Sequence, residues 1–432
     1  MRQLKAALHN LGCKVNAYES EAVLQLLEAA GYKIVPFEEK ADVYIVNTCT
    51  VTAVADKKSR QMLHRARTRN PEAVIVAMGC YVEIHSSDMD READIIIGNN
   101  RKGELVSLLE GWFREGKPAV FLSEDRQLKD YEKLSVSRTM EHTRAFLKVQ
   151  DGCNRFCTYC IIPYARGRIR SRDPEDVLAE TRKLTASGCR EIVLTGIHLS
   201  SYGKEQKAAF SLADLVEKIA DIPGVDRIRL GSLEPGIITP EFAGRLSARE
   251  QVCPHFHLSL QSGCNATLKR MNRAYTAEEY LEKCGILREY FERPALTTDV
   301  IAGFPGETEE EFAASIAFVE KAAFFETHIF PYSRREGTLA AKMPGQLTEK
   351  VKKERVRQLL ALNERQETAY LSEACGKPAE VLVEEILHED GKVYYSGHTT
   401  RYEKVVFEGD ETMKNRLVTV VPARVENLTL MA

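Results

Sequence analysis

Apolar runs and amphipathic stretches alternate along the first quarter of the chain. Between residues 4 and 116, apolar segments such as ADVYIVNTC and AVIVAMGC are separated by helical periodicity at Glu19–Ala30, Val54–Arg69 and Lys102–Glu115. Wholly apolar strands followed by amphipathic helices are typical of a parallel sheet covered on both faces. The pattern predicts a parallel α/β domain at 1–116. The polar, weakly patterned residues 117–143 are interpreted as a linker.

A second series of strands and helices begins at residue 144. Its strand candidates are AFLKVQDG, EIVLTG, RIRLGSLEP, FHLSLQS, TTDVIAGFPG and THIFPYS. The predicted helices that follow them are Pro174–Ser187, Ser211–Ile222, Pro240–Ser247, Ala277–Tyr290, Thr308–Ala323 and Thr348–Ala374. Six such units favour a partial barrel of the (β/α)6 type at 144–374.

The pattern changes again in residues 375–432. Short segments rich in β-forming residues, such as AEVLVEEI and RLVTVVPARV, are separated by polar turns. They predict a small antiparallel β-barrel. Its residues Arg401, Tyr402 and Lys404 are candidates for contact with RNA.

Composition narrows the functional classes. The chain is 44% hydrophobic and 28% charged, with a formal net charge of -3, so it lacks the positive excess of a non-specific polyanion binder. No apolar run approaches the length of a membrane span, and the amino terminus has no signal-peptide pattern. We expect a cytoplasmic protein. Its 11 cysteines then favour free thiols and metal ligands over disulfides.

Three cysteines are crowded into the stretch DGCNRFCTYCIIPYARG, which follows the first barrel strand. Cys153, Cys157 and Cys160 have the spacing C-x3-C-x2-C. Soft thiolates suit iron–sulfur clusters, and three ligands on a cubane leave one iron open to bind substrate. The alternative is a zinc knuckle completed by a distant residue. The position at a strand's carboxyl end favours the catalytic interpretation.

Three further cysteines, Cys13, Cys49 and Cys80, each follow an apolar strand of the amino-terminal domain. The carboxyl ends of parallel strands lie at one edge of a sheet, and ligands bind at that edge. The three thiols are therefore expected to converge on a second cluster. Burial of all three as ordinary core thiols is the alternative.

The C-x3-C-x2-C motif resembles that of radical S-adenosylmethionine enzymes. In that superfamily the open iron is chelated by S-adenosylmethionine, whose cleavage yields a 5′-deoxyadenosyl radical. Tyr159 matches the family's aromatic residue before the third cysteine and would pack near the adenine. Together, the two cysteine groups and the terminal β-barrel resemble the methylthiotransferase family over essentially the whole chain. The resemblance implies a flavodoxin-like domain with an auxiliary cluster, a radical S-adenosylmethionine barrel and a TRAM domain.

This resemblance also implies an activity and its cofactors. The cofactors are two [4Fe-4S] clusters and S-adenosylmethionine, and the reaction inserts a methylthio group at an unactivated C–H bond. The context LGCKVNAYESE is similar to the branch that acts on N6-threonylcarbamoyladenosine beside the tRNA anticodon. The isopentenyladenosine branch usually has GCQMN, and the ribosomal-protein branch GCPKN. The implied partners are a tRNA anticodon stem-loop and a flavodoxin-like electron donor, and the protein is expected to be a monomer.

Several residues at strand ends match positions near the cofactor. In addition to Tyr159, the predicted S-adenosylmethionine contacts are Arg166, Gly196, Glu234 and Gln261. Arg166 could instead belong to a solvated loop. Arg335 and Thr338 match a family pattern near the substrate mouth. Hydrogen-atom abstraction needs no general base, so no acid–base pair is assigned. An alternative from a different functional class is a non-catalytic zinc-binding or RNA-binding protein. Its metal content would distinguish it from an enzyme with iron–sulfur clusters.

Overall fold

The computed structural model describes residues 2–85, 92–122, 130–139, 143–205, 210–389, 391–409 and 413–432. It confirms the α/β class, with parallel sheets in the first two parts of the chain and a curled, mostly antiparallel sheet at the carboxyl end. In these ranges no helix is both long and apolar enough to cross a membrane.

The amino-terminal part is a six-stranded parallel sheet of order β2-β1-β3-β4-β5-β6. Its strands are β1 (Lys5–Asn10), β2 (Lys33–Ile34), β3 (Val43–Thr48), β4 (Val74–Gly79), β5 (Ile95–Ile97) and β6 (Ala119–Phe121). Its helices are α1 (Lys14–Ala29), α2 (Ala53–Arg69), α3 (Cys80–His85) and α4 (Leu105–Glu115). Alternate residues of β3 enter opposite hydrophobic clusters, as the two-residue period of a strand requires. Helices therefore cover both faces of the sheet.

The segment predicted as a linker contributes to the folded structure on both sides. Strand β6 lies within it and pairs in parallel with β5. Further along, Leu134 and Val136 are buried in the hydrophobic cluster of the barrel, and the hydroxyl of Tyr18 donates a hydrogen bond to the Leu134 carbonyl at 2.8 Å. The described part of 117–143 is thus packed between the two domains.

The second part has the six parallel strands that the sequence predicts. They are β7 (Arg144–Asp151), β9 (Glu191–Gly196), β10 (Arg227–Leu230), β11 (His255–His257), β12 (Ala295–Ala302) and β13 (Glu326–Pro331), with a short antiparallel β8 (Arg170–Ser171) beside β7. Parallel pairing links β10-β9-β7 and β11-β12-β13, and single bridges join β10 to the residues around β11. The helices are α5 (Ile162–Arg166), α6 (Pro174–Ala186), α7 (Leu212–Ala220), α8 (Pro240–Ser247), α9 (Asn265–Arg270), α10 (Ala277–Tyr290), α11 (Glu309–Ala322) and α12 (Glu349–Ser372).

Helix α1 of the first domain packs against β7 and β9 of the barrel. Its residues Tyr18 and Ala22 are buried in the barrel's hydrophobic cluster. This contact brings the start of α1, where Cys13 lies, close to the barrel.

The last part is a six-stranded sheet of order β17-β14-β15-β16-β19-β18, in which only β16 and β19 pair in parallel. Its strands are β14 (Ala379–Glu389), β15 (Lys392–Thr399), β16 (Lys404–Glu408), β17 (Leu417–Val420), β18 (Arg424–Glu426) and β19 (Thr429–Met431). Tyr402 stacks on His255 and His398, with ring centroids 5.1 and 4.5 Å apart. Its ring therefore packs against the barrel, and contact of this segment with RNA remains a prediction.

Candidate functional site

The three amino-terminal cysteines follow three neighbouring strands of the parallel sheet. Cys13 is the residue before α1, Cys49 comes directly after β3, and Cys80 begins α3 directly after β4. The order β1-β3-β4 places these strand ends side by side. Gly12 has a φ of +107°, and a Cβ atom there would lie 3.0 Å from the Cys49 sulfur. A glycine is needed to bring the Cys13 turn this close to Cys49.

Two of these thiols, Cys49 and Cys80, are buried in surroundings that oppose their ionisation. Burial, followed by the proximity of Cys80 and Cys13, raises the pKa of Cys49 to about 11. Burial also raises the pKa of Cys80, although the Arg166 guanidinium opposes this shift. Thiolates at such positions need a further positive charge, and a bound iron–sulfur cluster supplies it. The donor set fits a cluster held by three cysteines.

The geometry also bears on the zinc alternative. Within the described ranges, no three His, Cys, Asp or Glu side chains are grouped so that they could hold one metal ion. The cysteines of a cubane bind separate irons, so their sulfurs do not converge on a single point. Iron and zinc analysis of the purified protein therefore distinguishes a cluster from the zinc alternative.

The central cysteines lie in a loop that the surrounding backbone holds in place. At Gly152 the φ is +70°, and a Cβ atom would lie 1.8 Å from the Arg168 carbonyl oxygen, so only glycine fits. The Cys153 amide donates to the Gly167 carbonyl at 3.0 Å. Thr158 is anchored by backbone bonds, its amide donating to Met271 at 3.1 Å and its carbonyl accepting from Ala340 at 2.8 Å. The loop, which follows β7, is thus anchored to segments that follow α9 and β13.

Two N–H groups already point at sulfur atoms of this loop. The guanidinium of Arg273 donates to the Cys157 sulfur at 3.3 Å, and the Arg155 amide donates to the Cys153 sulfur at 3.4 Å. Burial raises the pKa of the Cys160 thiol to about 12. As in the amino-terminal group, a cluster would supply the positive charge that the three thiolates require.

Glu234 lies near the loop, at the barrel's carboxyl end. It forms an ion pair with Arg155, its Oε2 is 3.3 Å from His198 Nε2, and its Oε1 is 3.7 Å from Arg273. Burial opposes ionisation, but the hydrogen bond from His198 and the charges of His198, Arg273 and Arg155 lower the pKa of Glu234 to about 2. Glu234 is therefore an ionised acceptor whose cationic partners also reach the cysteine loop.

The other barrel residues that were predicted to contact S-adenosylmethionine also pack against neighbouring residues of the barrel. A Cβ atom at Gly196 would lie 2.9 Å from the Cβ of Gln150 on the adjacent strand, so Gln150 also requires this glycine. Gln261 is nearly buried with a φ of +74°, and its amide donates to Asp299 at 2.8 Å. Tyr159 packs edge-on against Phe304 with ring centroids 6.4 Å apart. Their contact with S-adenosylmethionine remains a prediction.

Arg166 lies between the two cysteine groups, and its contact with S-adenosylmethionine remains a prediction. Its side chain is completely buried, so the solvated-loop alternative is wrong. Its Nε donates to the Cys80 sulfur at 3.1 Å, which puts the guanidinium beside the amino-terminal cysteine group. Arg335 also reaches that group, because it pairs with Asp56 and bonds to Thr50, next to Cys49. Its partner Thr338 donates to the Arg335 carbonyl at 2.7 Å.

Sequence reasoning missed the residues that organise these loops. Gln150 donates to the carbonyls of Asp151 and Gly152 at 2.6 and 2.8 Å, and it accepts from the His198 amide at 2.7 Å. Arg273 and Glu19 were missed as well, although Glu19 lies inside the AYESE stretch that marks the branch. A polar residue at a strand end, directly before a cysteine loop, is the signal that could have identified Gln150 and Asp151.

Two family models match the chain. The Radical SAM superfamily model covers residues 147–319, and the model of the uncharacterized protein family UPF0004 covers residues 5–98. The threonylcarbamoyladenosine tRNA methylthiotransferase MtaB of Bacillus subtilis is 43% identical over 418 residues, covering 96% of this chain and 92% of the relative. The chain belongs to the radical SAM tRNA methylthiotransferase family. It is therefore an enzyme, a transferase.

Two other comparisons show how far this family likeness extends. The tRNA-2-methylthio-N(6)-dimethylallyladenosine synthase of Thermoanaerobacter is 37% identical over 422 residues, covering 96% of this chain and 89% of the relative. Among solved structures, the radical S-adenosylmethionine methyltransferase TsrM of Kitasatospora setae matches with a TM-score of 0.57 at 18% identity, covering 76% of this chain and 75% of that chain. The last likeness supports the fold. As a radical SAM methylthiotransferase, the chain requires a [4Fe-4S] cluster and S-adenosylmethionine, and the loop of Cys153, Cys157 and Cys160 fits that cluster.

Proposed function

We propose that this methylthiotransferase converts N6-threonylcarbamoyladenosine, next to the anticodon in tRNA, into its 2-methylthio derivative. The observation that carries the proposal is the 43% identity, over 96% of the chain, to a relative named for that nucleoside. The synthase named for dimethylallyladenosine is 37% identical over the same share of the chain. The alternative substrate is therefore less favoured.

We propose two [4Fe-4S] clusters, one on each cysteine group. The second group is supported by its position after three adjacent strands and by the mutual proximity of its thiols. When bound, the clusters and S-adenosylmethionine supply the sulfur chemistry and the one-electron chemistry that removes a substrate hydrogen atom. The chain's own residues hold the cysteine loops, donate N–H groups to sulfur, and keep Glu234 ionised beside Arg155 and His198.

The remaining expectations follow from the same assignment. The substrate is the anticodon stem-loop of a tRNA, which places the reaction in the cytoplasm, and electrons come from a flavodoxin-like donor to a monomeric enzyme. Anaerobic light scattering of the reconstituted protein would check the monomeric state.

Lys14 offers a structural reason for the choice of nucleoside. It follows Cys13, remains accessible, and has no hydrogen-bond or ion-pair partner in the described part of the chain. Partial desolvation, followed by the nearby charges of Arg229 and Arg144, lowers its pKa. The nearby carboxylate of Glu191 forms an ion pair with Arg229, whose Nε lies 2.7 Å from Oε1, and is therefore not the ion-pair partner of Lys14. A threonylcarbamoyl group carries a carboxylate that Lys14 can pair with, whereas an isopentenyl group carries none.

Replacing Lys14 with glutamine is expected to weaken binding of an anticodon stem-loop that carries N6-threonylcarbamoyladenosine by roughly tenfold, the value of a single charge-assisted hydrogen bond. Binding of the same stem-loop with an unmodified adenosine should change by less than about twofold, because the phosphates are identical. Anaerobic fluorescence anisotropy measures both. The exposed Lys58→Gln on α2 is the control, since a surface phosphate contact would weaken both stem-loops equally.

The direct test of the activity is nucleoside mass spectrometry. Bulk tRNA is incubated anaerobically with reconstituted protein, S-adenosylmethionine and a reductant. Gain of a methylthio group on threonylcarbamoyladenosine is the expected result. Gain of a methylthio group only on isopentenyladenosine would show that the enzyme acts on the nucleoside of the other branch. Gain on neither nucleoside, with S-adenosylmethionine still cleaved, would contradict a tRNA substrate.

A further inference from the structure

Arg166 is a buried arginine whose N–H groups are all engaged. Nε donates to the Cys80 sulfur at 3.1 Å, and Nη2 donates to Asn16 Oδ1 at 2.7 Å and to Glu19 Oε2 at 3.1 Å. Nη1 donates to Glu19 Oε1 at 2.9 Å and to Asp151 Oδ1 at 3.2 Å. Such a planar fork, with partners in several directions, cannot be reproduced by lysine.

The partners of Arg166 come from both domains and both cysteine loops. Glu19 and Cys80 belong to the amino-terminal domain. Asp151 ends β7 directly before the central cysteine loop, and its Oδ1 accepts from the Gly152 amide at 2.8 Å. Arg166 itself ends α5, the short helix that begins two residues after Cys160. One guanidinium therefore joins a ligand of the amino-terminal group to the backbone of the central loop.

Hydrogen bonds to the sulfurs are one of the main ways in which a protein sets the reduction potential of an iron–sulfur cluster. An N–H donor near a cysteine sulfur stabilises the more negative, reduced cluster, and a cationic donor in a buried site does so more strongly than a neutral one. At the cysteines of the amino-terminal group, Arg166 is such a cationic donor and is fully buried.

We propose that Arg166 is a positioning residue that raises the reduction potential of the auxiliary cluster through its bond to Cys80 and fixes that cluster relative to the central loop. This inference rests on the two-cluster function proposed above. It adds a role for a residue that the cofactor prediction had assigned to S-adenosylmethionine.

The test uses full-length protein in which Cys153, Cys157 and Cys160 are all replaced by alanine, so that only the auxiliary cluster is reconstituted. In this background, Arg166→Lys should lower the ratio of reduced to oxidised cluster at a fixed applied potential by about tenfold, which corresponds to a shift of about 59 mV for a one-electron couple. Redox titration followed by electron paramagnetic resonance measures the shift. An unchanged potential with the cluster fully loaded would overturn the proposal.

Arg170→Lys is the matched control. Arg170 is also buried and lies 3.5 Å from Asp151, but its hydrogen bonds go to the carbonyls of Arg166 and Arg168 and not to sulfur. Its replacement should leave the potential of the auxiliary cluster unchanged. An equal shift in both variants would attribute the effect to general charge rearrangement and overturn the role of the Cys80 bond.

A second measurement needs no substitution of Arg166. In the same triple-alanine protein, labelled with 15N-arginine, pulsed electron paramagnetic resonance of the reduced cluster should show a 15N hyperfine coupling from the guanidinium. Its absence in a loaded cluster would overturn the contact. If the triple-alanine protein binds no iron, the two-cluster function itself fails and this inference fails with it, an outcome distinct from a loaded cluster with an unchanged potential.

Discussion

Replacing Cys157 with alanine is expected to abolish methylthiotransfer and cleavage of S-adenosylmethionine, and to lower the iron content from about eight to about four per chain. Cys157 lies in the loop that the barrel holds in place, and its sulfur accepts a hydrogen bond from Arg273 at 3.3 Å. With one ligand gone, the remaining two thiols cannot retain a cubane with an open iron. Iron analysis and chromatography of 5′-deoxyadenosine check the two parts of this expectation.

The contrast with Cys49 separates the roles of the two groups. Cys49→Ala should also remove about four irons and all methylthio product, because the auxiliary cluster is lost, but it should still produce 5′-deoxyadenosine. Cys189→Ala is the control, since that thiol is buried against backbone carbonyls of the barrel, far in sequence from both motifs, and has no cysteine partner. Full iron content in Cys49→Ala would contradict the auxiliary site.

Local sequence signals were sufficient to predict most of the elements and the neighbouring positions of the amino-terminal cysteines. Helices α8 and α10 have the predicted bounds because capping residues mark their starts, Thr239 for the first and Thr276 with Glu279 for the second. The convergence of Cys13, Cys49 and Cys80 followed from a general rule about parallel strand ends, and adjacent strands in the sheet carry them. The fourth barrel strand is shorter than predicted. It ends at His257, and Gln261, later in the predicted FHLSLQS segment, has a left-handed backbone conformation.

The contacts between domains could not be predicted in the same way. Arg335 pairs with Asp56, which is 279 residues away in the sequence, and Arg166 pairs with Glu19, which is 147 residues away. Periodicity shows which face of an element is buried, but it does not show which element of another domain covers that face. Arg166 was assigned to the cofactor because it follows the cysteine motif. The docking of α1 on the barrel provides it with partners from the amino-terminal domain, which the sequence did not predict.

Replacing Glu19 with glutamine is expected to cost about 3–5 kcal/mol of folding stability, because it leaves buried cations without their shared counter-charge. Glu19 is completely buried and lies 2.9 Å from Arg166, 2.7 Å from Lys148 and 3.3 Å from Lys102. Glutamine keeps the size but removes the charge. At about 2–4 °C per kcal/mol for a large domain, the melting temperature of the apoprotein should fall by roughly 10 °C, which scanning calorimetry would measure.

The same carboxylate makes stability depend on pH in a definite direction. Burial alone would raise the pKa of Glu19, but Arg166, Lys102 and Lys148 together hold it below its ordinary value of 4.5. Because the folded-state pKa is depressed, this stabilisation is complete at neutral pH and is lost as the pH falls below about 4.5 toward the folded-state pKa. Glu19→Gln should therefore unfold at a midpoint that varies less with pH than the parent's does in this acid range.

Glu28→Gln, on the same helix α1, provides the control for both measurements. Glu28 pairs with Arg138 at 3.0 Å on the surface, where the arginine side chain is 57% exposed. An exposed pair of this kind contributes about 0–1 kcal/mol, so the substitution should shift the melting temperature by no more than about 4 °C. If Glu19→Gln behaved like Glu28→Gln, the buried charges around Arg166 would not depend on Glu19, and the attachment of α1 to the barrel would have to come from apolar contacts such as those of Tyr18 and Ala22.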